Sequence, residues 1–143
     1  MPEPLMSGRL GDWLEHSGVW VAVRVLWVSD PADEFFAAEG IGVPAGQRSV
    51  IVASELVNLA EEDFLAPPDL GLVLVDGDGD RHGRAMATLT AYPRFRHGPV
   101  GSEESDGSVS GHTYFVLPRA ATLRHVEWTA SGADDEPVLT WLL

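Results

Sequence analysis

The chain contains no cysteine and no lysine. The first absence excludes disulfides and thiolate chemistry, and 143 residues can bury a real core without such bridges. The second leaves nine arginines against 22 acidic residues, a formal net charge of -13. Phosphate backbones and anionic lipid surfaces are met by basic patches, so nucleic acid and membrane surfaces are poor partners for this chain. The acids gather at Glu61, Glu62 and Asp63, at Glu103, Glu104 and Asp106, and at Asp134, Asp135 and Glu136. A solvated, self-repelling surface is the plain reading of that excess. Long apolar runs are missing too, since nothing approaches the roughly 18 residues of a membrane helix. The opening MPEPLMSGRL has neither the basic head nor the apolar centre of a secretion signal. As written, the chain is expected to be cytosolic or to form the outer part of a longer, anchored protein.

What is present is alternation. Val19, Val21, Val23, Val25 and Trp27 fall on one side of a single run, and Trp20, Ala22, Arg24 and Leu26 fall on the other. Residues two apart share a face of a strand, so the run predicts a strand at residues 19–28 with one dry and one partly wet side. Further strands are predicted at residues 10–14, 49–58, 70–75, 86–91, 113–117, 123–129 and 138–143. Residues 30–47, with three glycines and two prolines, read as a long loop. Pro67 and Pro68 interrupt any regular element, and residues 99–111 read as a mobile loop. Seven or eight short strands divided by turn signals predict an all-β fold, an antiparallel sandwich. Residues 1–7 form a tail and residues 8–143 one domain.

Chemistry is harder to find. Asp76, Asp78 and Asp80 have the alternate spacing with which a calcium loop offers carboxylates to a hard cation. The rest of that pattern fails, because Arg81 stands where glycine is needed and Ala87 where a bidentate glutamate is needed. An Asp-Gly hairpin turn accounts for the same residues, so neither metal nor cofactor is expected. His16, His82, His97, His112 and His125 match no zinc pattern. His112 and His125 precede or lie on strands expected to be neighbours, so they could approach each other, but two imidazoles make an incomplete zinc site. No Gly-x-Ser-x-Gly elbow and no phosphate-cradling loop occur, so no catalytic residue is assigned. Three candidates remain for binding. Phe35 and Phe36 lie in the first long loop, where they either fold back onto the sandwich edge or form a contact. Trp20 points away from the valine face and is a candidate for an exposed contact surface. Trp27, Trp128 and Trp141 are expected in the core.

Four segments carry a resemblance. They are Gly8-Arg-Leu-Gly-Asp12, then Pro44-Ala-Gly-Gln47 with the strand that runs into Leu56-Val-Asn58, then Leu72-Val-Leu-Val-Asp-Gly-Asp-Gly79, and finally Gly111-His-Thr-Tyr-Phe-Val-Leu-Pro118. In that order the chain resembles the telokin-like, immunoglobulin-like domains of bacterial exported proteins and lipoproteins, a family of unknown function that includes a secreted immunogenic antigen of mycobacteria. The resemblance implies an immunoglobulin-like β-sandwich, export and no known catalysis, and it offers no active site to carry over. The family's export signal and lipid-attachment cysteine are absent from the chain. The expected function is a non-catalytic binding or accessory module, contacting a protein or small ligand at the cell envelope or outside the cell. The alternative is an acidic cytosolic inhibitor or immunity-type protein, steered by its charge onto a basic target. A small enzyme whose site is assembled only in space ranks behind both.

Overall fold

Valines at every second position carry one strand through the centre of the molecule. The computed structural model describes residues 6–130 and 138–143. Their elements in chain order are β1 (Ser7–Arg9), β2 (Trp13–His16), β3 (Val21–Ser29), α1 (Asp33–Ala38), β4 (Gln47–Asn58), β5 (Leu72–Asp76), β6 (Arg81–His82), α2 (Glu103–Asp106), β7 (Ser108–Pro118), β8 (Leu123–Trp128) and β9 (Leu139–Leu142). One sheet has the order β1-β9-β8-β5-β6 and the other β2-β3-β4-β7. The fold is a β-sandwich, as the alternation predicts. It departs from a purely antiparallel arrangement at one pairing, because β1 runs parallel to β9. The acidic group at Asp134, Asp135 and Glu136 and most of the expected tail lie outside the described residues.

The inner faces meet in one core. Val21, Val23 and Val25 of β3 and Val50, Val52 and Leu56 of β4 pack with Leu72, Leu74, Trp128, Leu139 and Trp141 of the opposite sheet. The indole N–H groups of the two buried tryptophans reach backbone carbonyls, Trp128 at Pro68 (2.8 Å) and Trp141 at Asp12 (3.0 Å). Burial without such partners would cost more than the rings gain.

Five expectations are corrected. Trp27 is not core. The β3–β4 register shifts between Val25, opposite Ser54, and Trp27, opposite Ala53, so Leu26 is an inserted bulge residue. A bulge reverses the inside–outside phase beyond it. Val28 therefore packs on the core, and Trp27 turns outward with 36% of its surface exposed. Residues 10–14 are not one strand, because Leu10 and Gly11 form the turn between β1 and β2, which belong to different sheets. Residues 86–91 form no strand. Leu89 is held instead by its N–H donating to the Tyr114 hydroxyl (3.1 Å), a side-chain anchor in place of a ladder. The first long loop contains α1. Lastly, residues 99–111 include α2 and the start of β7, whose Ser108 still finds a partner in Val57 because β4 spans 12 residues.

The four-stranded sheet is buried on its outer face as well. Ala32, Phe36, Ile51, Leu89 and Tyr114 form a second cluster there. Phe36 meets Tyr114 edge to face at 6.0 Å. Burial raises the pKa of the Tyr114 hydroxyl, which donates to the Tyr92 carbonyl. The two neighbouring phenylalanines thus part company, Phe36 being 1% exposed and Phe35 37%. Phe36→Ala should cost about 3–5 kcal/mol of stability and Phe35→Ala under about 1 kcal/mol, read from urea denaturation midpoints. Equal costs would contradict this division.

Candidate functional site

After β6 the chain leaves the five-stranded sheet and runs along the free edge of β7. The Ala85 N–H donates to Tyr114 O (2.6 Å) and the His112 N–H to Pro93 O (2.9 Å). These contacts cover an edge that would otherwise present unpaired backbone groups. The segment then passes Gly111, where a Cβ would stand 2.5 Å from the Phe95 nitrogen and 2.6 Å from its ring. Only glycine admits that approach. Phe64 and Val100 next exchange backbone hydrogen bonds of 2.8 and 2.9 Å, and the Asn58 side chain donates to Glu62 O (2.7 Å) and Val100 O (3.1 Å). Two loops are stitched together in this way, and a cleft of about 740 Å³ lies between them.

The lining of the cleft mixes two kinds of side chain: Leu65, Pro67, Pro68, Met86 and Phe95 are apolar, while Asp69, Arg84, Arg94, Arg96 and His97 are charged or polar. A third of the nine arginines thus line a single cleft in a strongly acidic chain. Two of them are engaged. Arg84 pairs with buried Asp69 (Nη1 to Oδ1, 2.5 Å), whose other oxygen accepts from Thr113 Oγ1 (2.8 Å). Arg96 pairs with Asp106 (3.0 Å). Arg94 makes no hydrogen bond or ion pair among the described residues. Guanidinium groups stay protonated in proteins, so the arginine lining attracts and orients negative charge and does not shuttle protons.

None of the candidates drawn from the sequence lines the cleft. Trp20 sits in the turn before β3 with a left-handed backbone (φ 54°) and 63% exposure. Phe36 is in the second cluster. Phe35 joins a half-exposed aromatic group, 4.9 Å from Tyr92, which in turn lies 6.0 Å from Trp27 and 5.4 Å from His112. His112 and His125 do not approach each other, because β7 and β8 belong to opposite sheets. His125 instead pairs with Glu127 (2.8 Å). The arginine lining did leave a signal in the sequence: Arg94-Phe-Arg-His97 is a local concentration of positive charge between Pro93 and Pro99. What the sequence does not show is that Arg84 and the 65–69 loop complete it.

Asp76, Asp78 and Asp80 bring ligand oxygens within 4.8 Å of one another. The Asp76 carboxylate is already occupied inside the turn. Its Oδ1 accepts from the N–H groups of Asp78 (2.9 Å) and Asp80 (3.0 Å), and its Oδ2 lies 2.9 Å from His82 Nε2. The His82 hydrogen bond, joined by those two N–H groups, holds the Asp76 carboxyl below its ordinary pKa despite desolvation. The Ser49 N–H and hydroxyl, with Arg119, do the same for Asp33.

No family model matches the chain, and no curated protein matches it in sequence. Solved structures share its fold. It is similar to MPT63, a secreted protein of Mycobacterium tuberculosis, over 100% of both chains, with a TM-score of 0.67 and 12% identity. It is also similar to the yjhA protein of Bacillus subtilis, over 95% of this chain and 98% of that one (TM-score 0.61, 13% identity). An uncharacterised β-sandwich protein of Clostridium difficile matches over 100% and 97% (TM-score 0.53, 9% identity). Likeness at these identities establishes the sandwich architecture and leaves function to the site.

The lowered carboxyl pKa values carry a sign. Asp33 and Asp76 titrate lower folded than unfolded, so their stabilisation is present above the unfolded value of about 4 and lost as pH falls through the folded values. Urea midpoints should therefore drop as pH falls below about 5, and the drop should shrink in the Asp33→Ala/Asp76→Ala double variant. An unchanged pH profile in that variant would show that other groups carry the acid sensitivity.

Proposed function

We propose that the protein is a non-catalytic binding module that works at the cell envelope or outside the cell and holds a small ligand in the cleft between residues 65 and 99. Charge placement carries this reading: the cleft draws Arg84, Arg94 and Arg96 together in a chain with a net charge of -13. Loops held on a rigid sandwich suit recognition, and clefts that combine apolar walls with a few converging polar groups are the usual form of small-molecule sites. The secreted MPT63 fold and the resemblance to telokin-like domains of exported proteins support placement outside the cytoplasm. The acidic-inhibitor alternative rests on net charge alone and leaves the arginine lining unused. Protein contact is a second reading, favoured by the half-exposed rings of Trp27, Phe35 and Tyr92, since aromatic side chains anchor interfaces.

Thermal melting against a chemically mixed panel of small molecules tests the cleft. A ligand at about a hundred times its Kd adds about 2.7 kcal/mol of stability, enough to raise Tm by several degrees. The rise should be lost in Leu65→Glu and Met86→Glu, whose side chains stand exposed at the cleft and are not needed for folding. A panel without hits, or hits unaffected by both substitutions, would remove the cleft from this reading.

A further inference from the structure

Resting on that reading, we infer that the ligand is an amphiphilic organic monoanion, one carboxylate head on an apolar body, with the head on Arg94. Charge count selects the head. Arg84 and Arg96 each already face a carboxylate, at 2.5 and 3.0 Å, whereas Arg94 faces none among the described residues. One positive charge in the cleft is therefore uncompensated. A guanidinium matches a carboxylate with two parallel hydrogen bonds, which gives orientation as well as attraction. A phosphate monoester carries about -1.5 to -2 charges near neutral pH and would leave negative charge over. Asp69 and Glu39, whose charges act on Tyr114 as that of Arg94 does, are engaged elsewhere, Asp69 by Arg84 and Thr113 and Glu39 by the N–H groups of Thr90 and Ala91. His97 lines the same cleft as a further polar group.

The apolar part of the lining selects the body. Leu65 and Met86 are 79% and 83% exposed, so two large apolar side chains stand in water at the cleft. A ligand with only a charged group would leave them wet. An alkyl or aryl body covers them and lies against Phe95, and the flexible Met86 thioether can adapt to its shape. The guanidinium and the apolar lining then act on the two parts of one molecule.

Isothermal titration of the full chain with octanoate, octanol, acetate and octyl phosphate tests this assignment. Octanoate should bind at least about tenfold more tightly than either octanol or acetate, each of which lacks one end. Arg94→Ala should weaken octanoate by about tenfold, the scale of one charge-assisted hydrogen bond, and leave octanol unchanged. Since Arg94 has no hydrogen-bond or ion-pair partner among the described residues to orphan, the variant should fold as the parent does, and Met86→Glu provides a second variant that should repel the same ligand. Octanoate that binds no better than octanol, or that ignores Arg94→Ala, overturns the carboxylate head. Tighter binding of octyl phosphate overturns the single charge. Octanol or another neutral panel compound that binds and is lost in Met86→Glu would leave the small-ligand reading standing while this inference falls.

Discussion

β4 is buried on both faces, and the cleft side of the molecule depends on that constraint. Residues 48–54 are buried without interruption, with Val50 and Val52 facing the inter-sheet core and Ile51 facing outward into the second cluster. A strand dry on both sides needs cover on the side away from the opposite sheet. Two segments supply it, α1 through Phe36 and the stretch after β6 through Leu89. The second begins on the five-stranded sheet and must reach the far edge of the four-stranded one. Its passage along β7 and past Gly111 is what opens a cleft between loops that a simple hairpin connection would have left apart.

Buried charge is distributed with the same logic. Arg48 is nearly enclosed, yet both its faces are used: Nε and Nη2 grip the Asp30 carboxylate at 2.6 and 3.1 Å, while Nη1 donates to the carbonyls of Pro118 and Arg119. It ties the start of β4 to the end of β7. Asp69 plays the matching part at the cleft, where Thr113 and Arg84 share its two oxygens. Leaving either partner unpaired in such a setting would cost several times what an exposed pair contributes. Arg94 differs from all of these. It makes no hydrogen bond or ion pair among the described residues, which leaves its guanidinium available to something else.

The aromatic residues show how far local pattern carries. Trp128 and Trp141 keep the phase of Val126 and Leu139, two residues before each, and both are core, since the register shift of β8 falls before Val126. Trp27 sits on a run whose phase is reversed by a single inserted residue, and it joins Tyr92, Phe35 and His112 at the surface. Nothing in Val25-Leu26-Trp27 itself announces the bulge, because any of the three residues could be the extra one. The adjacent Phe35 and Phe36 are alike in composition and context, and the turn of α1 alone sends one inward and the other out.

The sequence by itself determined the longer strands and the sandwich they build, because period-two alternation and Gly, Pro and Asp punctuation are local properties of the chain. It also determined that positive charge is scarce and carried by arginine alone, and it held a visible basic run at residues 94–97. The tertiary structure alone decided where β1 pairs, which face of β3 Trp27 occupies, and that Arg84, Arg94 and the 65–69 loop meet. Those outcomes depend on contacts between residues far apart in the chain, where one bulge or one crossing moves a side chain from core to surface and no local spacing records it.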